Sequence, residues 1–443
     1  MSKPAVPKAI ASAARPRKLP LLRCCTVLLT ALPGAFAQMA HHAGGPATVP
    51  RSNQSTPADL GVRAHTNIRF FYMNGATPGE LPPAPGFGYE TPASLACVYR
   101  LVDPLPGCNP NQTTMNSPGG SRSIAIVDAF DDPEAADDLA SFSQQFGLPA
   151  ADFTVVYEGA SAPATDPTGG WELEESLDIE YAHAMAPSAK IYLVEASSNS
   201  LLDLFTSIEI AGNLVACASP SPCPAGSKGR GQVSMSFSGA EFPAESTLDA
   251  FFTTPGVEYF ATTGDTPGVT YPCASPNVLC VGGTSTARSE FTGNLLAEIA
   301  WSDAGGGISS FEPIPRYQAA YPGLTAKLLG NRGVPDLAAD GNPVTGAWVL
   351  DTFPYQSPAG PETGWFIVGG TSLATPTVAG IFNATGSFES SSADALGDMY
   401  SRHGANNFRD ITYGACGFYS GSFAGPGWDL CTGLGSPANL KIH

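Results

Sequence analysis

Residues 366–376 read Phe-Ile-Val-Gly-Gly-Thr-Ser-Leu-Ala-Thr-Pro. The apolar run Phe366 to Val368 breaks on Gly369 and Gly370, and a helical pattern carried by Pro376, Val378 and Ile381 follows. A strand, a glycine turn and a helix in that order expose Ser372 at the helix mouth, beside backbone N–H groups that have no partner within the helix. That is a good place for a nucleophile. The same residues also suit a simple cap, because serine is favoured at the N-cap and a glycine before it is ordinary. A serine hydroxyl is inert without a base, so the assignment turns on what else the chain supplies.

Ile124 to Val127 form a continuous apolar run ending at Asp128, which fits a strand buried on both faces of a parallel sheet. Pro133–Phe146 reads as a helix, Thr154–Tyr157 as a strand, Trp171–Ala186 as a helix and Lys190–Glu195 as a strand. Leu201–Ala211 and Ala244–Thr254 read as helices, with Val233–Phe237 and Val257–Ala261 extended. This alternation predicts an α/β fold, one large domain over residues 90–443 with a parallel sheet covered by helices on both faces. In such sheets chemistry gathers beyond the carboxyl ends of the strands, where Asp128, Asp265 and the approach to Ser372 all fall.

The chain has 443 residues, with 21 Lys+Arg against 39 Asp+Glu. Six basic residues, an apolar run from Cys24 to Leu32 and the Ala35-Phe36-Ala37 triplet mark residues 1–37 as a signal peptide, hence a secreted chain. Removing it takes 6 of the 21 basic residues and no acidic one, leaving 15 against 39, a net charge of −24. That excess argues against nucleic-acid and anionic-membrane partners. Residues 38–89 are rich in Pro and Gly and read as a mostly irregular tail or linker, with only Ile68–Tyr72 strand-like. Eight cysteines follow the signal in close pairs, and disulfides joining Cys97 to Cys108, Cys217 to Cys223, Cys273 to Cys280 and Cys416 to Cys431 are the simplest connectivity.

Histidine is the usual partner of a nucleophilic serine, and His183 is the candidate. By helical phase it points away from Glu174 and Asp178, which marks it as a surface or packing residue. Glu174 and Asp178 are themselves more telling. Two carboxylates four residues apart cost a helix roughly 0.2–0.5 kcal/mol by repulsion. Buried together they share a proton, one pKa rises, and the pair gains the capacity to take and return a hydroxyl proton. The competing interpretation is a solvated acidic face formed by Glu172, Glu174, Glu175, Asp178 and Glu180 near the helix start.

Glu174 and Asp178 followed by Ala184–Lys190, then Thr263-Gly264-Asp265, then Gly370-Thr371-Ser372 with Pro376, resembles the sedolisin family of serine-carboxyl peptidases from about Thr91 to Pro437. The resemblance implies a subtilisin-like fold with Ser372 as nucleophile, Glu174 as base, Asp178 as its partner and Asp265 as oxyanion donor. Glu175 is an alternative base, but the four-residue spacing matches the family. Asp265 would have to be protonated to donate to an oxyanion, which implies an acidic optimum. Asp128 either extends the carboxylate network or satisfies loop N–H groups. Gln232–Gly239 resembles the family's cleft strand, and Gly305–Gly307 suggests a close loop. Asp410, Ile411, Gly425, Gly427 and Asp429 match the family's calcium site, which implies one structural Ca2+ held by two carboxylates and three carbonyls. Family members carry a large N-terminal prodomain, for which the roughly fifty residues between the signal and Thr91 leave no room. The expectation is a monomeric, acid-active, secreted endopeptidase acting on polypeptides. The rival is a non-catalytic secreted binding or structural protein on the same scaffold.

Overall fold

The computed structural model describes residues 1–2, 46–72, 88–217, 229–289, 291–402, 407–417 and 421–438. The expected signal peptide and the Cys217–Cys223 pairing lie largely outside these residues. The other three expected disulfides, Cys97–Cys108, Cys273–Cys280 and Cys416–Cys431, are formed.

In chain order the strands that matter here are β1 (His65–Thr66), β2 (Arg69–Tyr72), β3 (Ser123–Ala129), β4 (Asp152–Tyr157), β5 (Lys190–Ala196), β6 (Gly231–Met235) and β7 (Phe237–Ala240). They are followed by β8 (Val257–Thr262), β9 (Thr270–Tyr271), β10 (Leu279–Arg288), β11 (Leu295–Ala300), β12 (Leu337–Asp340), β13 (Ala347–Ser357) and β14 (Gly360–Gly369). The main helices are α1 (Pro92–Val98), α2 (Ala135–Phe146), α3 (Gly170–Met185), α4 (Leu201–Val215) and α5 (Thr371–Thr385).

The central sheet runs β11-β10-β8-β6-β3-β5-β4, with β12 also paired to β10. All of its pairings are parallel except β10 with β11. Strand β3 has every residue buried. Its alternation sorts the core: Ile124 and Ile126 pack with Ile179 of α3, while Ala125 and Val127 pack with Leu204 and Ile208 of α4. Both faces are covered, as a strand without polar alternation requires.

Helices α3 and α5 lie side by side on one face. At Gly380 a side chain would stand 2.6 Å from Met185 Cβ and 3.0 Å from the Ala182 carbonyl, so only glycine permits this approach. Leu173, Leu177 and Tyr181 of α3 and Leu373, Val378 and Ile381 of α5 share one hydrophobic cluster. This packing brings the first turns of both helices to the same end of the sheet.

Two features differ from the sequence reading. Helix α3 has no solvated face: all sixteen of its residues are buried, including Glu172, Glu174, Glu175, Asp178 and Glu180. The acidic stripe therefore faces protein on every side, because β13 and α2 cover the flank that a surface helix would leave open. Residues 46–72 are also no loose tail, since β1 pairs antiparallel with β7 and β2 antiparallel with β14. Among the described residues no helix is long and apolar enough to cross a membrane.

Candidate active site

Strand β14 delivers the chain to Gly370, the N-cap of α5, whose φ of 116° and ψ of 161° suit glycine. Ser372 is thus the second residue of the helix and not its cap. Its hydroxyl donates to the Ser236 carbonyl at 3.0 Å, and the residue is fully buried. Ser236 occupies the break between β6 and β7, at the carboxyl end of β6.

Glu174 and Asp178, on successive turns of α3, are fully buried in the same place. Burial pushes the Glu174 carboxyl well above its usual range, and the charges of Asp178 and Asp128 push it further; the Ser372 hydroxyl pulls the other way. Asp178 is raised by burial, with the Ser236 hydroxyl opposing. Asp128 is raised by burial and by Asp178 and Glu195, and neither of its oxygens has a hydrogen-bond partner. It therefore joins the carboxylate network and does not serve loop N–H groups. No lysine or arginine pairs with them among the described residues, so burial and mutual repulsion favour sharing protons among these acids. Glu175, the alternative base, lies among Glu195, Asp132 and Asp128, and nothing connects it to Ser372.

Asp265 lies just beyond β8. Its Oδ1 accepts from the Thr371 N–H at 2.8 Å and the Thr371 hydroxyl at 2.9 Å, leaving Oδ2 turned toward Asn53 at 3.4 Å. Burial raises its pKa to about 7, against the pull of the Thr371 N–H and of Arg69. Gly305 and Gly306 donate to the Gly264 and Gly268 carbonyls, so the expected close loop buttresses the Asp265 turn. Oδ2 and the helix N-terminus at Ser372 together face one spot, where a neutral Asp265 has a proton to offer.

His183 is buried, and its Nε2 lies 3.0 Å from the Pro149 carbonyl. Burial lowers its pKa. It is a packing histidine, remote from Ser372 in its contacts.

Of the residues expected to hold calcium, Asp410 meets Gly427 and Asp429 meets Gly425 by hydrogen bonds, and Ile411 is buried beside Asp410 in the chain. Asp429 accepts from the N–H groups of Gly425, Cys431 and Thr432, and Asp410 accepts from Gly427 N–H at 3.1 Å. Both carboxylates thus converge on the Gly425–Gly427 turn, and no lysine or arginine pairs with either among the described residues. Two carboxylates without a cationic partner are the donor type that calcium takes, though both Asp429 oxygens already accept hydrogen bonds from the protein. No group of three or more His, Cys, Asp or Glu side chains placed to hold a metal occurs among the described residues. Any such ion would therefore depend on carbonyl oxygens as well.

The sequence places Ser236 and Ser238 in the expected cleft strand Gln232–Gly239 without a role of their own, and gives Asn67 and Arg69 no part in the site. Asn67 N–H donates to Glu174 Oε2 at 3.3 Å, and Ser372 N–H donates to the Asn67 carbonyl at 3.2 Å. The only sequence signal was that Asn67 directly precedes the strand-like run Ile68–Tyr72.

The fold is subtilisin-like, a helix-covered parallel sheet of the kind seen in sedolisin. The solved structure of Pseudomonas sedolisin, described as a serine-carboxyl proteinase in complex with two molecules of pseudo-iodotyrostatin, matches with a TM-score of 0.60. It covers 79% of this chain and 95% of its own at 21% identity, which speaks to the fold. In sequence the chain is similar to kumamolisin of Bacillus sp. (strain MN-32), 30% identical over 393 residues, and to sedolisin of Pseudomonas sp. (strain 101), 24% identical over 366 residues. These matches cover 80% and 73% of this chain, which itself spans 62% and 57% of those relatives. Tripeptidyl-peptidase 1 of Homo sapiens is 34% identical over 198 residues, covering 38% of this chain and 31% of its own. No family model matches the chain. Its relatives are thus sedolisin-type peptidases.

Proposed function

We propose that the chain is a secreted, acid-active serine-carboxyl endopeptidase that hydrolyses polypeptides through an acyl-enzyme on Ser372. The observation that carries this reading is the meeting of Ser372 with the buried Glu174 and Asp178 at one end of the sheet, with no histidine hydrogen-bonded to any of the three among the described residues. In this reading Glu174 takes the hydroxyl proton as Ser372 Oγ adds to a peptide carbonyl, then returns it to the leaving amine. Asp178 and Asp128 share the proton load and keep Glu174 at a pKa where both transfers are accessible. Ser372 N–H and protonated Asp265 bind the oxyanion, and a donor of this kind is worth about 2.7–4 kcal/mol in the transition state. Protonation of Asp265 then confines activity to pH values below about 7. Calcium, held by Asp410 and Asp429 with the carbonyls of Ile411, Gly425 and Gly427, would pin the C-terminal loop.

Digestion of casein at pH 3 to 5 by the purified chain and by Ser372→Ala tests the proposal. Cleavage by the first and not the second supports it. Equal digestion by both removes Ser372 from the mechanism, and a folded protein inert in both forms supports a non-catalytic binding or structural role.

A further inference from the structure

We infer that residues 63–72 lie in the cleft as the chain's own substrate, with the Asn67 side chain filling the primary specificity pocket, so that this peptidase cuts after asparagine. The inference rests on the peptidase reading above and adds to it the bond and the side chain that the cleft selects.

Three observations fix the alignment of this strap. On the side before Asn67, His65 and Thr66 pair antiparallel with Ser238 and Phe237 of β7. The opposite edge is held as well, since Ala64 N–H donates to the Asn199 carbonyl at 3.0 Å and the Asn199 side chain donates to the Ala64 carbonyl at 2.9 Å. The strap therefore adds as an edge strand to β7 and β9, with Asn199 bonded on its other side, which is how extended peptides are bound by strand addition. On the side after Asn67, Arg69 pairs with Gly369 and Phe70 with Val368 of β14, the strand that leads directly to Ser372. Between the two, the Asn67 carbonyl accepts from Ser372 N–H at 3.2 Å. A Cβ placed on Gly370 would stand 1.9 Å from that carbonyl oxygen and 2.9 Å from Asp265 Oδ2, so oxygen, nucleophile turn and proposed oxyanion donor share one small space. The strap also closes Ser372 off from solvent completely.

The Asn67 side chain meets a pocket that reads its carboxamide. Ser238 Oγ donates to Oδ1 at 3.0 Å and Nδ2 donates to the Ser236 carbonyl at 2.9 Å, with a further bond inside the strap from Nδ2 to the His65 carbonyl at 3.3 Å. Donor and acceptor ends are thus each matched, and Asn67 is only 4% exposed. A leucine there would leave the buried Ser238 hydroxyl without that acceptor, and pockets built to bond a polar group reject analogues that lack it.

The chemistry balances with water as the only co-reactant. Ser372 Oγ adds to the Asn67 carbonyl carbon while its proton passes to Glu174, whose Oε1 is free of other partners. The negative oxygen is held by Ser372 N–H and Asp265. Collapse breaks the Asn67–Ile68 C–N bond, and the Ile68 nitrogen takes the proton from Glu174. Water then adds to the ester, gives a proton to Glu174, and releases the Asn67 carboxyl group as Ser372 regains its hydrogen. Arg69 Nη2, bonded to the Asp265 carbonyl at 2.6 Å, and β2 keep the new terminus in place.

The full chain and Ser372→Ala are incubated at pH 4 and their termini read by mass spectrometry. The wild type is expected to yield a chain beginning at Ile68, and the variant is expected to stay uncut at that bond. Peptides differing only in asparagine or leucine before the cut are then compared. A kcat/KM at least tenfold higher for asparagine is expected, and Ser238→Ala, with its fold checked by circular dichroism, should shrink that ratio about tenfold. If leucine peptides are cut as well as asparagine peptides and no Ile68 terminus forms, the inference fails while the peptidase reading stands. If the wild type cuts neither itself nor any peptide, the peptidase reading fails and takes the inference with it.

Discussion

Asp265→Asn, made in a Ser372→Ala background so that no self-cleavage intrudes, isolates one buried acid. Asp265 titrates near pH 7 in the folded protein against 3.8 for the free side chain, with burial as the main cause. The folded state therefore holds the proton more tightly than the unfolded chain does. Stability is fullest below about pH 4 and drains away as the pH climbs through 7. Roughly three pKa units at 1.36 kcal/mol each amount to about 4 kcal/mol lost from this residue by the end of that window. In Tm that is about 4–5 °C for a chain of this size. Asn keeps the acceptor toward Thr371 and has nothing to ionise, so the variant should escape this portion of the loss. Asp132 and Asp138, raised by burial to about 7 and about 6, titrate in the same range in both proteins. The difference between the two Tm-against-pH curves, measured by calorimetry from pH 4 to 8, therefore reports Asp265. Parallel curves, or a wild-type Tm that rises over this range, would show that Asp265 does not hold a proton more tightly in the folded state.

Two further outcomes are expected. Chelating calcium should lower the Tm of the wild type by several degrees and leave Asp410→Asn unmoved; identical responses in both would remove that loop as the metal site. Arg332 and Asp336 form a fully buried ion pair at 2.7 Å, with Tyr400 donating to the same carboxylate. Arg332→Met strands that carboxylate and should cost about 3–5 kcal/mol in denaturant unfolding, whereas a cost near zero would show that Asp336 finds another partner.

The parallel α/β core was legible because β3 to β8 are apolar runs alternating with amphipathic helices, and their local periodicity survives into the structure. Ala244–Thr254 was expected as a helix and is instead a 3-10 segment, Glu245–Phe252. Within the candidate site, Ser372 and Asp265 sit on turns with strong glycine punctuation, and Glu174 and Asp178 announce themselves by like charge at helical spacing. What the sequence hid is long-range. The acidic face of α3 is buried only because distant segments cover it, as where Leu350 N–H meets the Glu180 carboxylate. The Asn67 strap is likewise stabilised by pairing with β7 and β14, about 170 and 300 residues away, and its own composition reads as a linker. Ser236 and Ser238 fall within the expected cleft stretch Gln232–Gly239, but their contacts come from the strap and from Ser372, which the local pattern does not show.

The claim on which the account rests is that a carboxyl group, and no imidazole, handles the proton of Ser372. Its most direct test is kcat/KM at pH 4 for Glu174→Gln and His183→Ala on one peptide substrate, with folding verified for both. The account predicts a loss of at least 100-fold for Glu174→Gln, in line with the contribution of general acid–base catalysis, and a change within about threefold for His183→Ala. The reverse order, a silent Glu174→Gln beside a crippled His183→Ala, would contradict it.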